Sequence, residues 1–182
     1  MMRFLWVTLL CALPVLAMSG NDNYPTGAAP AGFGNASVAC SGLWAVHYNQ
    51  AGMAYLSQAL AGISYENRFT MQGLGIKSLA FALPLKNSAF GMEVVSFGYA
   101  KYGESKYGLS YARKLGDNFA AGLQLDYLFT HIAENYGSHG AFAVEAGILA
   151  HLTDKLHAGA HLYNPTRTRL ASFLVDSISD YT

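Results

Sequence analysis

Apolar and polar residues alternate with a period of two along most of this chain, from about residue 58 to about residue 164. The pattern is clearest between Phe119 and His131. Phe119, Ala121, Leu123, Leu125, Tyr127 and Phe129 take the odd positions, and Ala120, Gly122, Gln124, Asp126 and Thr130 take even ones, with Leu128 the exception. The next segment sets Phe142, Val144, Ala146, Ile148 and Leu152 against Glu145, Gly147 and His151. Ala59, Ile63, Tyr65 and Phe69 oppose Gln58, Ser64, Glu66 and Arg68; Tyr107, Leu109 and Tyr111 oppose Lys106, Ser110 and Lys114. Leu156, Ala158, Ala160 and Leu162 oppose His157, Gly159 and His161. A period of two with one apolar face predicts β-strands whose two sides meet different surroundings. In Leu74–Leu83 and Phe90–Tyr102 the apolar phase switches, near Lys77-Ser78 and Val94-Val95. A β-bulge produces such a switch, and so does a weakly patterned strand.

The strands arrive in a repeat. Pro84–Gly91, Leu115–Gly122 and Leu152–Gly159 align with one another, each a tight Asn/Asp turn entering a new strand. Their spacing of thirty-odd residues is that of one up-and-down hairpin. The intervening segments, Tyr102 to Lys106 and Ala133 to Gly140, read as looser polar loops. Short turns at one end and longer loops at the other are the habit of transmembrane barrels. The sequence therefore predicts an all-β fold: an antiparallel up-and-down transmembrane β-barrel, or part of one. Ahead of it, residues 20–57 read as an N-terminal lumen or plug segment, flexible and Gly/Ala/Pro/Asn-rich over 21–35, with one or two helical turns within Leu43–Tyr55. Hairpins fill 58–165, and 166–182 is an irregular tail or incomplete strand.

Composition separates a membrane barrel from a soluble one. Charged residues are 12% of the chain, with 11 basic and 11 acidic, about half the roughly 25% of an ordinary soluble domain. That is too few for a solvated exterior, and zero net charge argues against nucleic acid as a partner. Phe and Tyr sit at strand ends, as an aromatic girdle requires. The first residues add a compartment. Met1-Met2-Arg3, the apolar run Phe4–Met18, and the small residues Ala17, Ser19 and Gly20 have the three parts of a secretory signal, so 1–19 is read as a signal peptide cleaved near Ser19. Beyond it no run of about 18 apolar residues could serve as a membrane helix. The expected location is a bacterial outer membrane, with membrane lipids as partners.

Candidate chemistry is sparse. Cleavage leaves Cys40 as the one cysteine, read as a small buried residue rather than a nucleophile. The six histidines include His151, His157 and His161, which a strand register brings to one face, but no zinc-type ligand spacing is present. Ser138-His139 with Glu134 lie in one loop, where neighbours seldom point the same way. The expectation is no metal, no cofactor and no enzymatic activity, with Glu66, Arg68, Gln124, Asp126, Glu145, His151 and His157 facing the lumen.

One stretch carries a resemblance. Gly34-Asn35-Ala36-Ser37-Val38-Ala39-Cys40, followed by Tyr48-Asn49-Gln50-Ala51-Gly52-Met53-Ala54-Tyr55-Leu56, resembles the N-terminal signature of the PorV/PorQ-type outer-membrane barrels of Bacteroidetes, relatives of the FadL-type long-chain fatty-acid transporters. There a "GGASVA" stretch leads into "NPAGLA" and the first strand, and Tyr163-Asn164-Pro165 is similar to that family too. The resemblance covers about residues 31–165. It implies a barrel of about fourteen strands plugged by its N-terminal segment, a functional turn at Asn49, Gln50, Ala51 and Gly52, and transport of a hydrophobic substrate or assistance of type IX protein secretion. Gln50 stands where the family has Pro, which leaves the turn less rigidly fixed. Only about seven strands precede residue 165, as in a truncated member, unless 168–179 adds an eighth and closes a small barrel filled by its own side chains. The alternatives are a structural or interaction barrel with a packed lumen, and a lipid-modifying enzyme.

Overall fold

The structure is a computed structural model that describes residues 23–67, 70–71, 73–133 and 137–165. Seven strands form a single antiparallel sheet in chain order: β1 (Leu60–Asn67), β2 (Gly75–Pro84), β3 (Ser88–Tyr99), β4 (Tyr102–Lys114), β5 (Phe119–Ile132), β6 (Gly137–Thr153) and β7 (Leu156–Tyr163). Every strand pairs with its neighbours in sequence, and the sheet curls into a half-barrel. β1 and β7 are its edges. They run in the same direction, so closing an antiparallel barrel from this sheet takes an odd number of further strands.

The two faces are inverted relative to a soluble barrel. Register aligns Ile63, Leu79, Val94, Tyr107, Tyr127 and Phe142 in one row across the outer face. The next outward row is Ala61, Phe81, Met92, Leu109, Leu125 and Val144, and the next is Leu83, Phe90, Tyr111, Leu123, Ala146 and Leu162. These rows hold no charged residue, and most of their large side chains are exposed, Leu109 at 65%. Cations appear on this face only toward its ends, at Lys77 and Arg113. The inner face carries small residues instead. Ala80, Ala82, Ala89, Ala112, Ala120 and Ala143 are buried there, with Gly91, Gly122 and Gly147 among them.

The chain's own N-terminal segment fills the space those small residues leave. It contains α1 (Ala28–Gly32), α2 (Ala45–Tyr48) and a 3-10 helix, Gln50–Tyr55. Val46, Ala51 and Met53 are fully buried against the alanines of the sheet and Leu149, which together make the hydrophobic core. The approach is close enough that glycine is required. A methyl group on Gly122 would lie 2.6 Å from the Ala51 backbone nitrogen, and one on Gly91 would lie 2.5 Å from Met53 Sδ.

Several expectations are corrected. No bulge interrupts β2 or β3, whose pairings run without a break through Lys77-Ser78 and Val94-Val95. The apparent phase changes arise because Ile76 and Val95 are apolar residues turned inward and buried, while Lys77 points out at the end of its strand. Among the described residues, the pairing register is irregular between His151 and Thr153. Tyr102–Lys106 is not a loop. It opens β4, and the β3–β4 connection is only Ala100-Lys101. So sharp a turn places Gly98 at φ +115°, with Tyr102 O where a side chain would be. Gly137–Gly140 likewise belongs to β6, so loop lengths do not divide the two ends as expected. The 21–35 stretch read as flexible contains α1. Cys40 is exposed, because its carbonyl rather than its side chain packs on Gly52. The signal peptide, Arg68, Phe69, Glu134 and the 166–182 tail lie outside the described residues.

The fit between plug and sheet generates a paired test. Gly122→Ala should destabilise the fold by about 1–3 kcal/mol through overpacking and expose the 45–55 segment to limited proteolysis. Gly116→Ala, where a methyl group meets nothing within 4 Å, should change neither the urea midpoint nor the digestion pattern.

Candidate functional site

The plug meets the wall through a buried polar network. Asn49 caps the 3-10 helix, its Oδ1 accepting from Ala51 N at 3.2 Å. Its amide nitrogen donates to Val38 O at 2.6 Å and to Ile148 O at 2.8 Å on β6. Gln50 comes next. Its Nε2 donates to Glu145 Oε2 at 2.7 Å and to Val46 O at 3.2 Å. A proline here would lack both bonds. The turn is therefore fixed by a side-chain anchor into the wall rather than by a rigid ring. Ala51 fits against Gly122, and Gly52 lies under the Cys40 carbonyl, 2.6 Å from where its Cβ would be.

Around Gln50 the wall contributes charges. Lys106 Nζ on β4 bridges Glu93 Oε1 on β3 and Glu145 Oε1 on β6, both at 2.7 Å, and reaches Asn23 Oδ1 at 3.1 Å. The ammonium lies over the Tyr163 ring, with Nζ 5.5 Å from its centroid. His47 Nδ1, from α2, contacts Glu93 Oε2 at 2.8 Å. His161 Nε2, from β7, contacts Glu145 Oε2 at 3.0 Å. Gln124 Nε2 donates to Glu93 Oε1 at 2.7 Å and to Asp126 Oδ1 at 2.9 Å. Gly108, which pairs with both Glu93 and Asp126, makes room: a methyl group there would sit 2.8 Å from Asp126 Oδ1.

Three carboxylates and one lysine meet here, and a histidine ring contacts each of two of the carboxylates. Burying such charge is costly unless every group is paired. The network comes close to meeting that condition. Among the described residues, Asp126 Oδ2, Gln124 Oε1 and Gln50 Oε1 remain buried without a partner. Oxygens of Glu93, Asp126 and Glu145 lie within 4.8 Å of one another, a spacing a metal would accept, but the Lys106 ammonium already bridges two of the three groups.

The residues singled out from the sequence divide into three groups. Asn49, Gln50, Ala51, Gly52, Gln124, Asp126 and Glu145 come together at this plug–wall contact. Glu66 is on the inward phase of edge strand β1 but is exposed. His151 and His157 lie elsewhere, at the β6–β7 hairpin, where their rings stack on each other. Glu93, Lys106, His47 and His161 complete the network and were not named as site residues. Lys106 was visible on a polar face, whereas Glu93 is hidden in an apolar run and His47 in the plug. The row Glu93–Gly108–Asp126, two acids flanking a glycine, was the available signal, and it needs the register. Ser138 and His139 point to opposite faces of β6. The Ser138 hydroxyl instead meets His131 Nδ1 at 2.8 Å.

Comparison with protein-family models, curated proteins and solved structures finds no match to this chain.

Replacing Lys106 by Met should cost about 3–5 kcal/mol, since two buried carboxylates lose their counter-charge. Adding Glu93→Gln and Glu145→Gln to Lys106→Met should recover much of that loss. Chemical denaturation of the folded chain in detergent reads both values.

Proposed function

We propose that this chain builds the wall of an outer-membrane β-barrel, with residues 20–57 as a lumenal plug, in a PorV/FadL-like protein that moves a hydrophobic substrate or assists type IX protein secretion. The observation that carries the reading is the inverted polarity of the sheet: apolar outside, polar and small-residue inside. Phe119 and Phe129 bound the outward series on β5. Ten residue steps cover about 33 Å of strand, and at a tilt near 40° this becomes an apolar band about 25 Å tall, the height of a transmembrane barrel's lipid-facing belt. Tyr107, Tyr127, Phe129 and Phe142 cluster toward one end of that band, and Phe90 and Tyr111 pack together toward the other. Aromatic rings with a polar edge are favoured at both bilayer interfaces. An apolar cleft of about 630 Å³ also lies on the outer face, framed by Phe81, Phe90, Met92, Leu109 and Leu123.

In this reading the mechanism is passive. The plug closes the lumen through Asn49, Gln50 and His47, and passage requires those bonds to Ile148, Glu145 and Glu93 to yield together. Membrane lipids are the immediate partners, and the passenger is a hydrophobic molecule or a protein of the secretion system. A second reading, an interaction barrel with no transport, is favoured by the burial of Gln50, Ala51 and Met53, which packs the plug tightly on the described wall.

Leu125→Arg puts a charge in the middle outward row. In a lipid-embedded wall it should cost about 2–4 kcal/mol, read by urea unfolding from phospholipid vesicles, with loss of any heat-modifiable band on a gel. An unchanged stability would place that face in water and end the membrane reading.

A further inference from the structure

The outer face is not smooth over β3–β5. The cleft framed by Phe81, Phe90, Met92, Leu109 and Leu123 shares Met92, Leu109 and Leu125 with a neighbouring cleft of about 310 Å³, bordered by Val94, Tyr107, Tyr127 and Phe142. Together they make one groove along the strands, from the Val94–Tyr107–Tyr127 row to the Phe90–Tyr111–Leu123 row. Every outward side chain lining it is uncharged. Beyond its end at Phe90 and Tyr111, whose rings lie 5.1 Å apart, the next outward row is Ser88–Arg113–Ala121. Arg113 is exposed, its two row neighbours are small, and among the described residues it makes no ion pair. The adjoining turns carry Lys86 and Asp117, whose charges offset each other. Arg113 therefore sets the sign of the charge at the mouth of the groove.

We propose that this groove binds one anionic glycerophospholipid, with an acyl chain laid along β3–β5 and the phosphate at Arg113. An occupant of the groove itself must be apolar, since a polar group placed there loses water and gains no partner. An occupant that also meets Arg113 must carry a negative charge at one end. An anionic lipid has both parts. Tyr107 to Arg113 spans about 20 Å of β4, comparable with the reach of an extended acyl chain. A long arginine side chain keeps its stem on the apolar face while its guanidinium rises to the headgroup level. There it can take a phosphate through two parallel N–H bonds. An ammonium in the same headgroup, as in phosphatidylethanolamine, offsets that attraction, so the site favours a lipid with net negative charge. Lys77, the cation at the other end of the face, pairs in register with Tyr65 and Ser96 and borders neither cleft. The inference rests on the membrane reading of the outer face and adds to it one lipid class at one place.

The test reconstitutes the full chain in vesicles of equal phosphatidylglycerol and phosphatidylethanolamine and counts, by native mass spectrometry, the lipid that stays bound on release into detergent. One phosphatidylglycerol per chain should be retained in preference to phosphatidylethanolamine. Arg113→Gln should lower that preference about fivefold, the worth of one cation at a lipid surface, and Lys77→Gln should leave it unchanged. Leu109→Trp, which fills the groove without touching the core, should abolish retention of the lipid, and excess glycerol 3-phosphate should not displace it. Heat-modifiable migration of each chain from phosphatidylethanolamine vesicles reports insertion separately. Insertion with equal retention of the two lipids overturns the site and leaves the membrane reading standing, as does an Arg113→Gln or Leu109→Trp chain that retains phosphatidylglycerol like wild type. Displacement by glycerol 3-phosphate overturns it too, because the groove then plays no part. Failure to insert into any vesicle removes the membrane reading and the site together.

Discussion

The close approach of the Gln50–Tyr55 helix to the inner face of the sheet is the contact on which the rest of the structure depends. A polypeptide backbone can lie against a sheet this closely only where the facing side chains are nearly absent. That is why Gly91, Gly122 and Gly147 recur on inner rows with alanines around them. The same contact supplies the core, since most of the sheet's large apolar side chains point the other way. A half-barrel of these strands without its plug would expose small and charged inner surface to water and apolar outer surface as well. The plug is therefore part of the fold, not an addition to it.

Burying a helix against the wall also shuts in the groups around it, and the Lys106 network answers that cost. Glu93, Glu145 and Asp126 arrive on three different strands, and Lys106 on a fourth lies between Glu93 and Glu145. Such a network adds little net stability over apolar packing, but it admits only one register for β3 to β6. A one-residue slip in any of them would carry a charged residue of the network to the outer face. Gln50 and His47 extend this specificity to the plug, which must seat at one height to reach Glu145 and Glu93.

The outer face then has a single consistent character. Its central rows are uncharged because all the charge of the middle of the sheet is committed inside, and lysine and arginine appear only toward the ends. This division agrees with the low charge of the chain.

Sequence by itself determined the class of fold and the inward and outward identity of most strand residues, because a period of two is local and survives without knowledge of neighbours. The runs at Phe119–His131 and Phe142–Leu152 were legible for that reason, as were Gln124, Asp126 and Glu145 on the inner phase. Where an apolar side chain is turned inward, at Ile76 and Val95, local pattern misleads, since burial on the inner face is a tertiary fact. Connection lengths failed for a related reason: polar Tyr/Gly-rich segments such as Tyr102–Lys106 look like loops until cross-strand hydrogen bonds claim them. Glu93 beside Lys106, His47 reaching β3 from the plug, and His151 stacked on His157 depend on pairings between residues far apart in the chain. Only register and curvature decide those, because a side chain's partner is set by where the sheet carries it.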